Sequence, residues 1–280
     1  MNQTSKQLLK LARKNALLFK NHKNVKAIVV TGSVSQGTSD NSSDIDTIVY
    51  LTKPFGKKDF DRIVSDAKSS GGGFYHGTAK EGFAVYYYID GVKCDFGFGT
   101  TKELEQMISE MIKKPDTDLT KQLIMSGFMN AITIYGAGWV NKWKAKAAKY
   151  PESLAKILIE ANLHFYPKWV MEKMCAGRGD IIFFFENIIN DIKNMFTILC
   201  AVNKMYHPAK LKGMKRTIDL MKIKPRNFMK RCERLFASDS SAAIEDLYKL
   251  IDECILLAEK HNPSVNTSRV REIIKMELRK

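Results

Sequence analysis

The chain has 280 residues, a net charge of +15 at pH 7 and 45% hydrophobic residues. This length suits two folded domains, because single cores seldom grow beyond about 200 residues. Five scattered cysteines without a Cys-x-x-Cys pair argue against a disulfide framework or a zinc site. Lysines interrupt the N-terminal region, which argues against a secretion signal. The uncharged stretch 122–141 contains glycines and polar residues, which favour a buried helix and loop over a membrane span. We therefore expect a cytoplasmic protein that does not enter a membrane; the sequence does not specify its oligomeric state.

Two patterns divide the chain near residue 115. Before it, the sequence predicts a helix over 5–19, strands over 25–31 and 47–51, a helix over 57–68, a β-hairpin over 83–98 and a helix over 102–113. After Pro115 the apolar residues follow a helical period, which predicts helices over about 118–134, 152–175, 180–206, 209–222, 226–237, 241–261 and 268–278. We expect an α+β protein with a small mixed-sheet domain at residues 1–115 and an all-helical domain at residues 116–280.

The segment between the first two predicted strands contains Gly32-Ser33 and then Asp44-Ile45-Asp46. Alternation along a strand puts Asp44 and Asp46 on one face, about 7 Å apart along the backbone. Carboxylates at ~4 Å repel by about 4 kcal/mol at an effective dielectric of about 20, and a divalent cation such as Mg²⁺ turns that repulsion into coordination. Gly32 lets the backbone approach a ligand closely, and Ser33 adds a hydroxyl at a position where helical N–H groups would attract phosphate. The segment therefore predicts a site for a metal–nucleoside triphosphate; the alternative is an ordinary polar turn.

Gly-Ser followed by this loop and Asp-x-Asp resembles the signature of the nucleotidyltransferase superfamily, which includes the antibiotic nucleotidyltransferases and the DNA polymerase β-like enzymes. Gly37 and Ser43 also fit the fuller pattern, with one residue more than usual before Gly37, whereas Gln36 stands where many members have arginine. The resemblance implies that Asp44 and Asp46 hold Mg²⁺ or Mn²⁺ and that Gly32, Ser33 and Ser43 bind an NTP, with ATP expected. It also implies a small catalytic domain followed by a helical one.

The superfamily has a third carboxylate on a later strand, and Asp95 is the candidate. Asp90-Gly91 is a two-residue hairpin signal, and the turn pairs Tyr86 with Asp95 and Tyr88 with Lys93. The alternation of the second hairpin strand puts Asp95 on the polar face, free to complete a triad with Asp44 and Asp46. The alternative is a solvated edge-strand aspartate beside Lys93.

Two features of the helical half are candidates for the same chemistry. A polar stripe interrupts an apolar helix and offers Glu186 as a general base, although the solvent face of an amphipathic helix is the favoured alternative. The segment 203–210 is loosely similar to one found in helical domains of small-molecule nucleotidyltransferases, which implies that Lys204 or Lys210 neutralises phosphate charge. The alternative is a basic helix C-terminus that complements the helix dipole. The stripe consists of Glu186, Asn187, Asn190, Asp191 and Asn194.

Positive charge is concentrated in the second half, with +4 over residues 1–130 and +11 over residues 131–280. Such a basic half could steer a polyanion, although nothing resembles an aromatic-rich or arginine-rich nucleic-acid stripe. We expect transfer of NMP from an NTP to a hydroxyl of a small molecule, with antibiotics among the candidate acceptors, and release of pyrophosphate. Transfer to RNA or protein and a non-catalytic, antitoxin-like nucleotide-binding role are the alternatives.

Overall fold

The computed structural model describes residues 1–278. Contacts between its elements divide the chain into two units: unit 1 comprises Met1–Lys114 with Ile124–Lys149, and unit 2 comprises Pro115–Leu123 with Tyr150–Lys280. The predicted boundary between residues 115 and 116 differs from this division over residues 124–149, because a strand within that stretch joins the sheet of unit 1.

Unit 1 is built on one mixed six-stranded sheet. Its elements follow the predicted order, with two added strands, β3 and β6, and two added helices, α3 and α7. The strands are β1 (Val25–Val30), β2 (Ile45–Leu51), β3 (Gly73–Thr78), β4 (Gly82–Ile89), β5 (Val92–Thr100) and β6 (Ile132–Tyr135). The helices are α1 (Gln3–Asn15), α2 (Leu17–Lys20), α3 (Gly32–Gln36), α4 (Lys57–Ser69), α5 (Thr101–Lys113), α6 (Leu119–Asn130, which reaches into unit 2) and α7 (Ala137–Ala147).

The strand order in the sheet is β3-β4-β5-β2-β1-β6. The pairing of β2 with β5 is parallel, and the other neighbours are antiparallel. A parallel pair needs a long crossover, and α4, β3 and β4 supply it between β2 and β5. The expected mixed sheet followed by helices is thus the observed architecture.

One face of the sheet is apolar across β1, β2, β4 and β5. In β5, Cys94, Phe96 and Phe98 are buried on that face, and the ring of Phe19 from α2 meets Phe96 and Phe98 at 5.0 and 5.1 Å. On the other face, Tyr50 at the end of β2 packs against aromatic rings of α6 and α7. Asp46 and Asp95 share this second face and stay partly exposed, so the polar end of the face borders solvent.

The helix predicted over 118–134 is wrong in its last part. The structure ends α6 at Asn130, and the following β-branched residues form β6, which pairs with β1 through Val29 and Val30. An isoleucine-threonine-isoleucine run fits a pleated, half-buried surface better than a helix. The prediction also lacked β3, whose burial pattern has no apolar alternation.

Unit 2 is helical. It contains α8 (Glu152–Asn162), a π-helix (Val170–Cys175) with a 3₁₀ turn (Ala176–Arg178), α9 (Ile181–Val202), α10 (Met214–Leu220), α11 (Phe228–Arg234), α12 (Ser240–His261) and α13 (Ser268–Ile274). The mostly buried helix α9 is central, and α8, α12 and the π-helix pack against it. Within residues 1–278, no helix combines the length and apolar character needed to cross a bilayer.

We expect Leu51→Ala to destabilise the protein by about 2–5 kcal/mol, because Leu51 is 2% exposed in the core of unit 1 and its truncation leaves a cavity. The matched control is Leu18→Ala, since Leu18 is 58% exposed; its effect should stay within about 0.5 kcal/mol. Urea unfolding of both variants checks this. Equal destabilisation by the two substitutions would contradict the assigned core.

Candidate functional site

Three carboxylates meet at the polar end of the sheet. The parallel register of β2 and β5 places Asp46 beside Asp95, and Asp44 immediately precedes β2. One carboxylate oxygen from each of the three residues can be chosen so that all lie within 4.8 Å of one another. The structure therefore brings together the three aspartates that the sequence predicted as ligands. It also confirms the predicted hairpin register, with Tyr86 opposite Asp95 and Tyr88 opposite Lys93.

The backbone at Gly32 lies directly against Asp46. Gly32 begins α3 with φ +62°, and a Cβ atom built there would lie 1.9 Å from Oδ2 of Asp46 and 3.0 Å from its Cγ. The amide of Thr31 also donates to the carbonyl of Asp46 at 2.9 Å. Glycine is thus required here for two reasons, the left-handed backbone conformation and the space that the Asp46 carboxylate fills.

The serines of the loop are engaged within the protein. The Ser33 hydroxyl lies 3.2 Å from that of Ser39, and Ser39 is buried against the N-terminal segment, where its amide donates to Oγ of Ser5 at 3.0 Å. The Ser43 hydroxyl donates to Oδ1 of Asp40 at 3.0 Å and accepts from the Asp40 amide at 2.9 Å. These contacts give the loop between α3 and β2 a defined shape; phosphate binding by Ser33 and Ser43 stays a prediction.

Lys93 supplies the positive charge of the cluster. Its Nζ donates to both oxygens of Asp95 at 2.6 and 2.7 Å and to Oδ2 of Asp44 at 3.3 Å. Burial alone would lower the pKa of Lys93, but the hydrogen bonds to Asp95 and Tyr75, the charge of Asp95 and the hydrogen bond to Asp44 together raise it above its ordinary value. The ammonium therefore stays charged at neutral pH and neutralises part of the triad.

The donor set fits a hard divalent cation. Carboxylate oxygens are the ligands that Mg²⁺ and Mn²⁺ prefer, and Asp44, Asp46 and Asp95 are partly exposed, so an ion and its waters can reach them. The Lys93 ammonium forms ion pairs with two of these carboxylates, so it competes with a metal ion for the same oxygens.

Sequence reasoning missed the roles of Lys93 and Tyr75. The Tyr75 hydroxyl donates to Asp95 at 3.2 Å, and the rings of Tyr75 and Tyr86 each lie 5.6 Å from Nζ of Lys93. The strand alternation already put Lys93 on the face of Asp95, so its place could have been inferred. Tyr75 lies on β3, which has no clear sequence pattern, so no signal pointed to it.

The remaining predicted residues belong to unit 2. Lys204 forms an ion pair with Glu152, and Lys210 lies in the segment between α9 and α10. Glu186 is exposed on α9 and lines a cleft within unit 2. The assignments of Lys204 and Lys210 to phosphate and of Glu186 to a base stay predictions.

Part of the chain matches a known protein family. Residues 12–115 match the family model described as the nucleotidyltransferase domain. No curated protein matches the chain. Among solved structures, the chain is similar to a nucleotidyltransferase-like protein from Exiguobacterium sibiricum 255-15, with 11% sequence identity, a TM-score of 0.34, and coverage of 90% of this chain and 77% of that chain. The stretch matched by the family model contains every strand and loop that builds the carboxylate cluster.

We expect Gly32→Ala to weaken divalent-cation binding by about tenfold or more, because the new methyl group must displace the Asp46 carboxylate, and misplaced metal ligands typically cost 10–100-fold in affinity. Titration with Mn²⁺, followed by electron paramagnetic resonance, measures the affinity. The matched control is Gly91→Ala: Gly91 has φ +77° and so imposes a similar backbone strain, but a Cβ there meets nothing within 4 Å. Equal loss in both variants would show that strain, and not the contact with Asp46, is responsible.

We expect Lys93→Met to tighten Mn²⁺ binding by about fivefold to tenfold. The lysine ammonium competes with the metal ion for the carboxylates, and partly exposed ion pairs of this kind are worth about 1 kcal/mol. The same titration measures the change. Lys14→Met is the control, because Lys14 pairs with Asp90 on the surface and not with the triad. Weaker Mn²⁺ binding in Lys93→Met would contradict the view that the ammonium competes with the metal.

Proposed function

We propose that this chain, whose residues 12–115 match the family model of the nucleotidyltransferase domain, is a transferase that moves an NMP from an NTP, with ATP expected, to a hydroxyl of a small molecule. The observation that carries the proposal is the set of three carboxylates within 4.8 Å of one another, built by two strands and a loop inside the family match. Bringing negative charges together in this way is costly in free energy. A bound divalent cation offsets that cost, so the arrangement suits metal–nucleotide chemistry.

The proposed reaction is an in-line displacement at the α-phosphorus. The acceptor oxygen forms a bond to phosphorus, the bond to the bridging oxygen breaks, and pyrophosphate leaves with its electron pair. A divalent cation bound by the triad would screen the triphosphate charge and lower the pKa of the acceptor hydroxyl.

The residues of the chain take distinct parts in this proposal. Asp44 and Asp46 hold the cation, and Asp95 either adds a ligand or accepts the proton of the acceptor hydroxyl. Gly32 allows the backbone to approach the triphosphate. The Ser33 hydroxyl, which lies 3.2 Å from that of Ser39, and the Ser43 hydroxyl are the candidate donors to phosphate oxygens. Glu186 is the second candidate for the base, and Lys204 or Lys210 for neutralising phosphate.

The acceptor is the least constrained part of the proposal. A small hydroxylated molecule, with antibiotics among the candidates, follows from the resemblance to small-molecule nucleotidyltransferases, and the fold itself does not choose an acceptor. Pyrophosphate release from each of the four NTPs, against aminoglycosides, lincosamides and bulk tRNA, separates the possibilities. Release that depends on tRNA and falls steeply with salt would favour a nucleic-acid acceptor.

We expect Asp44→Asn and Asp46→Asn each to lower turnover by about 1000-fold or more, because an amide cannot supply the charge that holds the cation. Asp90→Asn is the control, since Asp90 is an exposed turn residue whose positive φ asparagine also tolerates. Circular dichroism verifies that each variant is folded. Near-normal turnover in both triad variants would refute the proposed function.

A further inference from the structure

The polar stripe of α9 lines a cleft within unit 2. The cleft has a volume of about 490 Å³, within the range of small-molecule sites. Asn187 and Asp191 are each only 4% exposed, so a solvent face does not describe these two residues. The walls are mostly apolar and consist of Leu163, Phe165, Tyr166, Phe183 and Ile273, with His164 as a polar member.

Two asparagines hold the shape of the cleft. The Nδ2 group of Asn187 donates to the carbonyl of Phe183 at 2.7 Å, and that of Asn194 donates to the carbonyl of His164 at 2.8 Å. The Asn194 bond ties α9 to the segment that forms the wall, whereas the Asn187 bond lies within α9, so these two side chains are held in place before any ligand arrives. A preformed cleft binds a ligand without the cost of ordering its own side chains.

Asp191 differs from these asparagines because its carboxylate lacks a partner. Its Oδ2 atom is fully buried and has no hydrogen-bond partner among the described residues. Burial raises the pKa of Asp191 to about 8, which reflects the absence of a compensating charge. Buried carboxylates are usually paired or hydrogen-bonded. A cation beside this one would favour its ionised form, so an external ligand can supply the counter-charge that the protein lacks here.

The lining of the cleft indicates what that counter-charge is. No lysine or arginine is among the described residues that line it, whereas Glu186 adds a second carboxylate at the rim. A metal ion fits poorly, because the part of the chain that the structure describes has metal-binding geometry for three such ligands at Asp44, Asp46 and Asp95 only. The aromatic walls suit an organic body, and an organic cation can interact favourably with aromatic faces.

We propose that the cleft of unit 2 binds a small organic cation, a primary ammonium on a partly apolar body, with the ammonium on Asp191 and the body against Phe165, Tyr166 and Phe183. Asn190 at the rim is placed for a hydroxyl or amide of the ligand. The inference does not depend on nucleotidyl transfer.

The test uses three amines, namely phenethylamine, putrescine and agmatine, with 2-phenylethanol as the uncharged match of phenethylamine. Ligand-observed saturation-transfer NMR on the full chain, at a pH of about 8.5, keeps both the amines and Asp191 charged. We expect at least one amine to bind with a Kd in the millimolar range (order of 1 mM), typical of small fragments, and 2-phenylethanol to bind at least about tenfold more weakly than phenethylamine.

Variants locate the site. Asp191→Asn keeps the shape of the side chain and should weaken amine binding by about tenfold or more, whereas Asn190→Asp adds a charge at the rim and should tighten it about threefold. Asp219→Asn is the matched control, since Asp219 is an exposed carboxylate of unit 2 outside the cleft. Its amine affinity should equal that of the unmodified protein.

The melting temperature of Asp191→Asn tests whether any loss of amine binding in this variant is caused by unfolding. Asp191 has a folded pKa of about 8, above its ordinary value of 3.8, so the unfolded chain releases this proton first and stability falls as the pH rises from about 4 to about 8. Asparagine has no such proton to lose, so the variant should melt no lower than the unmodified protein at a pH of about 8.5. The titratable neighbours are Glu186 on the same helix, His164 and Tyr166 on the wall, and Tyr248 on α12.

Three outcomes would overturn the inference: no amine binds below about 20 mM, the alcohol binds as tightly as its amine, or Asp191→Asn binds amines unchanged. Amine binding should persist in Asp46→Asn, because the cleft contains none of the triad. Failure of the cleft and failure of the proposed transferase activity are therefore measured separately.

Discussion

The parallel pairing of β2 with β5 is the interaction on which the candidate site depends. It sets Asp46 beside Asp95, although carboxylates at about 4 Å repel by roughly 4 kcal/mol at an effective dielectric of about 20. Burial of the opposite face of these strands offsets this repulsion, since Phe96 and Val49 lie in one apolar core. The hydrophobic face of the sheet thus holds together charges that would otherwise separate.

Two further contacts adjust this arrangement. Lys93 offsets part of the negative charge from the same face of β5, and Gly32 confines the Asp46 carboxylate from the loop side. One contact is electrostatic and the other steric, so they constrain the cluster in different ways. The triad is therefore shaped by residues that are not themselves ligands.

Local signals in the sequence predicted much of this. The Asp90-Gly91 turn specified the hairpin register, and the structure confirms Tyr86 opposite Asp95, because a two-residue turn leaves little freedom to slip. The meeting of Asp46 with Asp95 was expected only from the family resemblance, since parallel partners are set by a crossover that no local pattern encodes.

The strand β6 was predicted as helix because its short apolar run is ambiguous between the two periods. The unpartnered state of Asp191 depends on what packs around α9, which the polar stripe alone does not reveal.

The crossover between β2 and β5 has a consequence for how the protein folds. Asp44 and Asp46 precede it and Asp95 follows it, so the triad is absent until a pairing between distant parts of the chain has formed, and such non-local contacts form late. A ligand that needs all three carboxylates binds the completed sheet and not its precursors, and it stabilises the native state by mass action. The acidic cluster would then link the lifetime of the folded sheet to the supply of its ligand.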